Sequence, residues 1–348
     1  MRLAAKLSAA LLALSLVAGA CTNPAGRRAG ATTGGTASLA AAGSLEGVIQ
    51  SRLQPAFARS SGDHLVAKFA GSTALAQMIK DGELAPGDFL SIGEGAIRAL
   101  WPGRARYSLT IATDPLVLAY SPKSRYASQL DQIRLHRRPL ADLFKVLESP
   151  GFRLGRTDPN LDPQGGYFIL MFELATRLYH LPADTVARIL GVTKATPTGS
   201  SGQIVDEDAL ATDIASGTFD AGSEFLTEAR QYHLEYIKLP AALDFADPSQ
   251  LALYRSISLP LARGLFRGGL ITLDVTSVLA PPGRPEAPAD RSAAGAFLAF
   301  LLSREGERLL SAAGYQLHRP SLSYAPGWSK PAQVLPRPVL RQYRRLGG

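Results

Sequence analysis

The stretch TDPNLDPQGGY, residues 157–167, decides the fold class that we predict for this chain. It places two carboxylates, two prolines and two glycines in one loop. Pro159 and Pro163 fix φ and remove backbone donors, whereas Gly165 and Gly166 let the backbone approach a ligand closely. The apolar residues that follow have roughly helical spacing: Tyr167, Ile169, Leu170, Leu174 and Leu178. Because the free N–H groups of a helix start attract anions, the stretch is compatible with an anion-binding loop. The alternative is an ordinary turn, since Asp-Pro pairs and glycines are common in turns that bind nothing.

Short apolar strands and amphipathic helices alternate along the rest of the chain, which is typical of an α/β fold. The segment HLVAKF (64–69) predicts a strand that runs into a helix beginning near Ser72. Pro139 is expected to open a helix, which the strand-like RLGR (153–156) follows. The apolar positions of this helix are Leu140, Leu143, Phe144 and Leu147.

The C-terminal part predicts a long helix that carries Phe297, Phe300, Leu301 and Leu309 and that Gly314 closes. The proline-rich stretch before it, residues 280–292, predicts an irregular loop.

Two glycine–serine pairs stand before helical patterns, Gly43–Ser44 and Gly71–Ser72. Each offers a hydroxyl and a set of free backbone N–H groups, and two such pairs in series favour one shared anion site. The alternative is that both serines are helix N-caps with no further role.

In this order, the two glycine–serine pairs, TDPNLDP and Glu224 in FDAGSEF resemble the molybdate/tungstate-binding proteins of ABC importers, and most closely their tungstate/molybdate branch. Further segments also resemble that family: VLAYSPKSRYA (117–127), RLGRTDPNLDP (153–163), ASGTFDAGSEF (215–225) and HLEYIKLP (233–240). The resemblance covers most of the chain after the N-terminal segment.

The resemblance implies that Asp162 and Glu224 are the two carboxylate ligands and that Ser44 and Ser72 donate hydrogen bonds. A buried carboxylate repels sulfate or phosphate, whose central atoms stay tetrahedral. Molybdenum(VI) and tungsten(VI) are hard centres that accept further oxygen ligands, so a carboxylate can bind them directly and select against sulfate.

Three residues of the loop leave alternatives open. Asp158 is a rival of Asp162 for the ligand, although it could instead cap the loop through an Asx-turn. Gly165 is a second candidate for ligand contact. Tyr167 could donate to a bound oxygen, but we favour packing within the helix.

The resemblance also implies a two-lobed periplasmic-binding-protein fold of type II, with the ligand cleft between lobes joined by hinge strands. We predict lobe I from residues 37–113 and 240–348, and lobe II from residues 114–239.

The first 20 residues carry Arg2 and Lys6, an apolar run and small residues before Cys21, which predicts a lipoprotein signal peptide. Cys21, the chain's one cysteine, would carry the lipid, and residues 21–36 would form a flexible tether. The alternative is an ordinary signal peptide with an incidental cysteine.

The composition, 46% hydrophobic and 19% charged, predicts a compact globular chain. The formal charge of +8 falls to +6 without Arg2 and Lys6 and suits an anionic ligand. The basic C-terminal tail shows neither interleaved aromatic residues nor a nucleic-acid-binding motif, so no nucleic-acid partner is expected. The five scattered histidines suggest no metal site, and neither a nucleophile elbow nor a phosphate-binding loop is present. A surface-anchored hydrolase is therefore the weaker alternative.

We expect a monomer, lipid-anchored on the outer face of the cytoplasmic membrane, that captures tungstate or molybdate without any cofactor. The resemblance implies two further partners, a membrane permease and its cytoplasmic ATPase. The main alternative is a binding protein for another anion, such as sulfate, phosphate or an organic acid, on the same scaffold.

Overall fold

Two β-sheets organise the protein in the computed structural model, which describes residues 35–84, 87–101, 103–193, 196–262, 264–281 and 295–348. The predicted signal peptide, Cys21 and nearly all of the tether lie outside the described residues, as does most of the predicted loop at 280–292. Among the helices that the structure describes, none has both the length and the apolar character needed to span a membrane.

The larger sheet has six strands in the order β12-β4-β11-β3-β1-β2. β1 pairs in parallel with β2 and β3, whereas β11 and β12 pair antiparallel with their neighbours. Its strands are β1 (Thr36–Ala42), β2 (His64–Ala70), β3 (Asp88–Ile92), β4 (Tyr107–Thr113), β11 (Thr272–Ser277) and β12 (Gln316–Tyr324). We call this sheet and the helices around it lobe I.

The smaller sheet has four strands in the order β6-β7-β5-β8. β6 and β7 are parallel, and β5 pairs antiparallel with both β7 and β8. Its strands are β5 (Leu116–Tyr120), β6 (Leu154–Gly155), β7 (Ala221–Phe225) and β8 (Glu235–Lys238). We call this sheet and the helices around it lobe II. A separate hairpin joins β9 (Ser258–Leu261) to β10 (Gly264–Arg267).

Helices cover both sheets. A 3-10 turn (Gly43–Leu45), α1 (Glu46–Val48), a π-helical segment (Ile49–Leu53) and α2 (Gln54–Ser61) follow one another without a break. The next helices are α3 (Ser72–Asp81), α4 (Glu94–Arg98), α5 (Ala127–Arg134), α6 (Ala141–Leu147), α7 (Pro163–Leu178), α8 (Thr185–Leu190), α9 (Glu207–Ser216) and α10 (Leu226–Gln231). The last are α11 (Leu251–Tyr254), α12 (Ala296–Leu301), α13 (Arg304–Ala313), α14 (Pro331–Val334) and α15 (Arg337–Arg345).

The strand ends explain where a site can form. β1 and β2 are parallel neighbours, so their carboxyl ends place Gly43–Ser44 and Gly71–Ser72 at the same edge of the larger sheet. β6 and β7 are also parallel, so Thr157 and Glu224 lie near one edge of the smaller sheet. The chain passes from β4 to β5, and so from one sheet to the other, at residues 114–115.

Most local predictions are confirmed. The strand predicted at 64–69 spans His64–Ala70, and the loop at 157–162 leads into α7, which begins at Pro163. The prediction of a single long helix near the C-terminus is wrong, because two helices occupy that region. The first helix ends at Leu301 with Leu302 as its C-cap. Ser303 is the N-cap of the second, since its hydroxyl accepts a hydrogen bond from Gly306 N at 3.2 Å. Gly314 closes the second helix with φ 116°, as predicted.

Candidate functional site

Four buried carboxyl groups of lobe II lie close together where the two lobes meet. Asp162 precedes α7, Glu207 begins α9, Glu224 lies on β7 and Glu228 lies on α10. Their residues are only 1% to 6% exposed. Such burial of carboxyl groups is costly unless a ligand or a proton neutralises them, so the cluster indicates a functional site.

Asp162 and Glu228 are held by the start of α7. Asp162 is the N-cap, and its Oδ1 accepts a hydrogen bond from Gln164 N at 3.0 Å. The Gln164 amide donates to Glu228 Oε2 at 3.1 Å and accepts from Ser223 Oγ at 3.1 Å. The sequence Asp-Pro-Gln therefore orients two of the four carboxyl groups and leaves Asp162 Oδ2 free of a hydrogen bond.

Burial changes the acidity of all four groups. It raises the pKa of Glu224 to about 8 and of Asp162 to about 6, and neighbouring carboxylates add to both shifts. It also raises the pKa values of Glu207 and Glu228 well above the ordinary range, and the charges of Asp162 and Glu224, respectively, increase these shifts further. The site therefore binds protons at neutral pH, when free carboxyl groups are ionised.

The free energy of unfolding of the ligand-free protein should fall as the pH rises from about 5 to about 8. Unfolded carboxyl groups ionise near pH 4, whereas Asp162 and Glu224 in the folded state keep their protons until about 6 and about 8. Their contribution is complete below the unfolded pKa and is lost as the pH rises through the folded values. Each pKa unit corresponds to about 1.4 kcal/mol, so a loss of several kcal/mol is expected in urea denaturation. A constant value across this range would contradict the prediction.

Three buried hydroxyl groups face the same cluster. Ser44 Oγ, Thr157 Oγ1 and Tyr315 Oη have no hydrogen-bond partner in the part of the chain that the structure describes. Neither do Asp162 Oδ2, Glu207 Oε1 and both carboxyl oxygens of Glu224. Buried polar atoms without partners are rare in folded proteins, so seven of them in one place indicate a polar ligand.

The structure differs from the expectation that both helix starts offer free N–H groups. Gly43 N donates to Glu207 Oε2 at 2.8 Å, and Thr73 N and Ala74 N both donate to Leu161 O at 3.1 Å. The acceptors belong to lobe II and the donors to lobe I. In this closed arrangement the protein's own oxygens therefore use donors that the sequence assigned to an anion.

The other predicted lobe I residues lie at this interface with different roles. Gly71 is the N-cap of α3 and has no space for a side chain, because a Cβ atom would lie 2.6 Å from Leu161 O. Ser72 is fully buried, and its hydroxyl accepts a hydrogen bond from Ile92 N at 3.0 Å. Ser72 therefore joins α3 to β3, whereas Ser44 keeps an unpartnered hydroxyl.

The three loop residues with open alternatives make structural contacts. Asp158 Oδ1 accepts a hydrogen bond from Asn160 N at 2.9 Å, which is an Asx-turn. Gly165 packs on the loop backbone, since a Cβ atom would lie 2.2 Å from Thr157 O. The Tyr167 hydroxyl donates to Leu270 O at 3.0 Å, and its ring contacts those of Phe245 and Phe266.

Sequence reasoning did not find Glu207, Glu228, Thr157 or Tyr315. Thr157 is the second residue after β6, and this place just beyond a strand end is the signal that could have found it. Glu207 is the first residue of α9, and Glu228 is the third residue of α10. An acidic residue is ordinary in the first turn of a helix. Tyr315 carries no local signal at all.

The arrangement can bind a small oxyanion that has a metal centre. Asp162 and Glu224 present carboxylate oxygens that could bind a hard centre, and the three hydroxyls can donate to oxo groups. No group of three or more His, Cys, Asp or Glu side chains in the described ranges could hold a metal ion.

The chain matches the family of bacterial extracellular solute-binding proteins over residues 37–316. It is 28% identical over 262 residues to a candidate ABC transporter molybdenum-binding protein of Haloferax volcanii, covering 75% of this chain and 78% of the relative. It is 26% identical over 225 residues to the molybdate/tungstate-binding protein WtpA of Pyrococcus abyssi, covering 60% of this chain and 61% of WtpA.

The structure is similar to the periplasmic molybdate-binding protein of Azotobacter vinelandii, with a TM-score of 0.50 and 19% identity. The similarity covers 81% of this chain and 99% of that protein, and it confirms the predicted two-lobed fold. The predicted resemblance and the prediction of a binding protein rather than an enzyme are also confirmed, since these named proteins all bind solutes. Because the family match spans most of the sequence, the chain belongs to the bacterial extracellular solute-binding proteins.

Proposed function

We propose that the protein captures molybdate or tungstate outside the cytoplasmic membrane and delivers it to an ABC importer. The observation that carries the proposal is the set of unpartnered oxygens on Asp162 and Glu224, buried beside the hydroxyls of Ser44, Thr157 and Tyr315. The names of the Haloferax and Pyrococcus relatives support the same class of ligand.

The carboxyl groups decide between oxyanions. Sulfate and phosphate have tetrahedral centres that accept no further ligand, so they gain no bond from Asp162 and Glu224 and are repelled by whichever of these groups is ionised. Molybdenum(VI) and tungsten(VI) can accept Asp162 Oδ2 and a Glu224 oxygen as additional hard ligands, and Glu224 would release its proton when it binds the metal centre. The repulsion then becomes a source of selectivity, because it penalises only the anions that cannot coordinate.

The hydroxyl groups complete the proposed binding. Ser44 and Tyr315 come from lobe I, and Thr157 comes from lobe II beside Asp162. Hydroxyls donate one proton each, so three of them can satisfy three oxo groups of one anion. A ligand held from both sides stabilises the closed arrangement of the lobes, and affinity therefore depends on closure.

The delivery of the oxyanion to an ABC importer is supported by the family to which the chain belongs. The permease and cytoplasmic ATPase are the partners, and the binding protein would act as a monomer without a cofactor. We further propose that a lipid on Cys21 anchors the protein to the outer face of the cytoplasmic membrane.

Calorimetric titration of the purified protein with tungstate, molybdate, sulfate and phosphate tests the proposal. We expect tight binding of the first two and none of the last two, because only the first two can accept Asp162 and Glu224 as ligands. Preference for sulfate or phosphate would assign the scaffold to a different anion. No binding of any of the four would overturn the proposed function.

A further inference from the structure

A solvent-accessible cavity of about 580 Å³ opens beside the buried cluster. Two of the site's unpartnered hydroxyl residues, Ser44 and Tyr315, form part of its wall. Its other lining residues come from both lobes: Gly47, Val48, Gln50, Ser51, Arg52, Thr227, Arg230, Gln231, His233, Ala312 and Ala313. We call this cavity the vestibule. It borders the site through Ser44 and Tyr315, whose hydroxyl groups are buried.

The vestibule carries basic residues and none of its lining residues is acidic. Arg52 of lobe I and Arg230 of lobe II are exposed and both line the vestibule, and His233 of lobe II is an exposed lining residue as well. Within the described residues, no carboxylate lies at ion-pair distance from Arg52 or Arg230. Both guanidinium groups are therefore available to a passing anion.

Arg230 lies next to the site itself. A Cβ atom on Gly314 would lie 2.9 Å from Arg230 Nη1, so the guanidinium rests against the backbone that precedes Tyr315. Its charge also acts on Asp114, whose own charge contributes to the raised pKa of Glu228 in the cluster. Burial raises the pKa of Asp114 to about 7, and Arg230 acts against that rise. Position and charge together place Arg230 between solvent and the buried carboxyl groups.

An oxyanion needs such a path, because the buried part of the site repels it. Asp162, Glu207, Glu224 and Glu228 surround the place where it would bind, and any charge on them raises the barrier to entry. Clefts lined with charge of the opposite sign concentrate an ion at their mouth and raise its association rate by about 10- to 1000-fold.

We propose that the vestibule is an outer capture site for divalent oxyanions, in which Arg52 and Arg230 hold the anion before it passes Ser44 and Tyr315 into the cleft. The inference rests on the proposed function and adds an entry route to it. Arg52 and Arg230 are positioning residues for entry and are not ligands in the closed site. They therefore control the association rate more than the dissociation rate.

The test compares binding kinetics of the purified full chain with those of the Arg52→Gln/Arg230→Gln variant. Isotope-labelled molybdate gives the dissociation rate by chase with unlabelled anion, and a rapid filter assay gives the association rate. At low ionic strength we expect the association rate to fall about tenfold or more and the dissociation rate to change by less than about twofold. At about 1 M salt, where charges are screened within about 3 Å, the difference should disappear.

Two variants serve as controls. Arg59→Gln removes an exposed cation of α2 that does not line the vestibule, and it should leave both rates unchanged. Arg52→Lys/Arg230→Lys keeps the charge and should retain most of the association rate. An association rate for the double glutamine variant equal to that of Arg59→Gln would overturn the inference while leaving the proposed function intact. Failure of the unaltered protein to bind any oxyanion would overturn both.

Discussion

Glu224→Gln should weaken binding of molybdate or tungstate by about tenfold or more, which corresponds to at least about 1.4 kcal/mol of binding free energy. Both carboxyl oxygens of Glu224 are buried and have no hydrogen-bond partner in the described residues. A neutral amide has nearly the same shape but is a far poorer ligand for a hard metal centre. The loss of affinity would therefore be caused by the missing bond between the carboxylate and the metal centre, and not by a change in packing. Calorimetric titration of both proteins measures it.

The fold should survive this substitution. Burial raises the pKa of Glu224 to about 8, so replacing it with glutamine removes an ionisation that destabilises the folded protein as the pH rises. The free energy of unfolding of Glu224→Gln at about pH 8 should therefore equal or exceed that of the unaltered protein. Glu305→Gln changes an exposed acid of α13 and should alter neither property. An unchanged affinity in Glu224→Gln would remove Glu224 from the site.

Local sequence patterns predicted which strand ends and helix starts form the site. The glycine–serine pairs stand directly after β1 and β2, and Asp162–Pro163 begins α7, because strand ends and helix starts depend on a few neighbouring residues. The break between α12 and α13 was missed for a related reason. Apolar spacing continues across Ser303, and only its N-cap hydrogen bond reveals that a second helix begins there.

The parts of the site that could not be predicted from the sequence depend on contacts between residues far apart in the chain. Glu207 reaches Gly43 across 164 positions of the chain, and Gln164 joins Glu228 across 64. Neither of these hydrogen bonds can be predicted from the spacing of residues in the sequence or from its composition. The use of helix N–H groups by Leu161 O and Glu207 likewise depends on how the lobes meet, which no local pattern encodes.

Gly71→Ala should reduce affinity for molybdate or tungstate by about tenfold or more while leaving the ligand-free fold intact. The added Cβ atom would lie 2.6 Å from Leu161 O and 2.9 Å from Asp162 Cβ, both of them in the opposite lobe. Gly71 has φ −54°, which alanine adopts without strain, so the damage is confined to the lobe contact. Hydrogen bonds from Thr73 N and Ala74 N to Leu161 O should be lost as the lobes are held apart. Calorimetric titration checks the affinity.

The Gly71→Ala variant separates the effect of lobe closure on binding from the effect of coordination by Asp162 and Glu224. If Gly71 acts only by permitting closure, small-angle X-ray scattering should show that saturating molybdate reduces the radius of gyration of the unaltered protein but not of Gly71→Ala. Gly95→Ala is the matched control, because a Cβ atom there has no neighbour within 4 Å, and it should bind as the unaltered protein does. Equal affinities for Gly71→Ala and Gly95→Ala would mean that the contact between α3 and the Leu161–Asp162 loop is not needed for binding. Coordination by Asp162 and Glu224 would then have to hold the anion within lobe II alone.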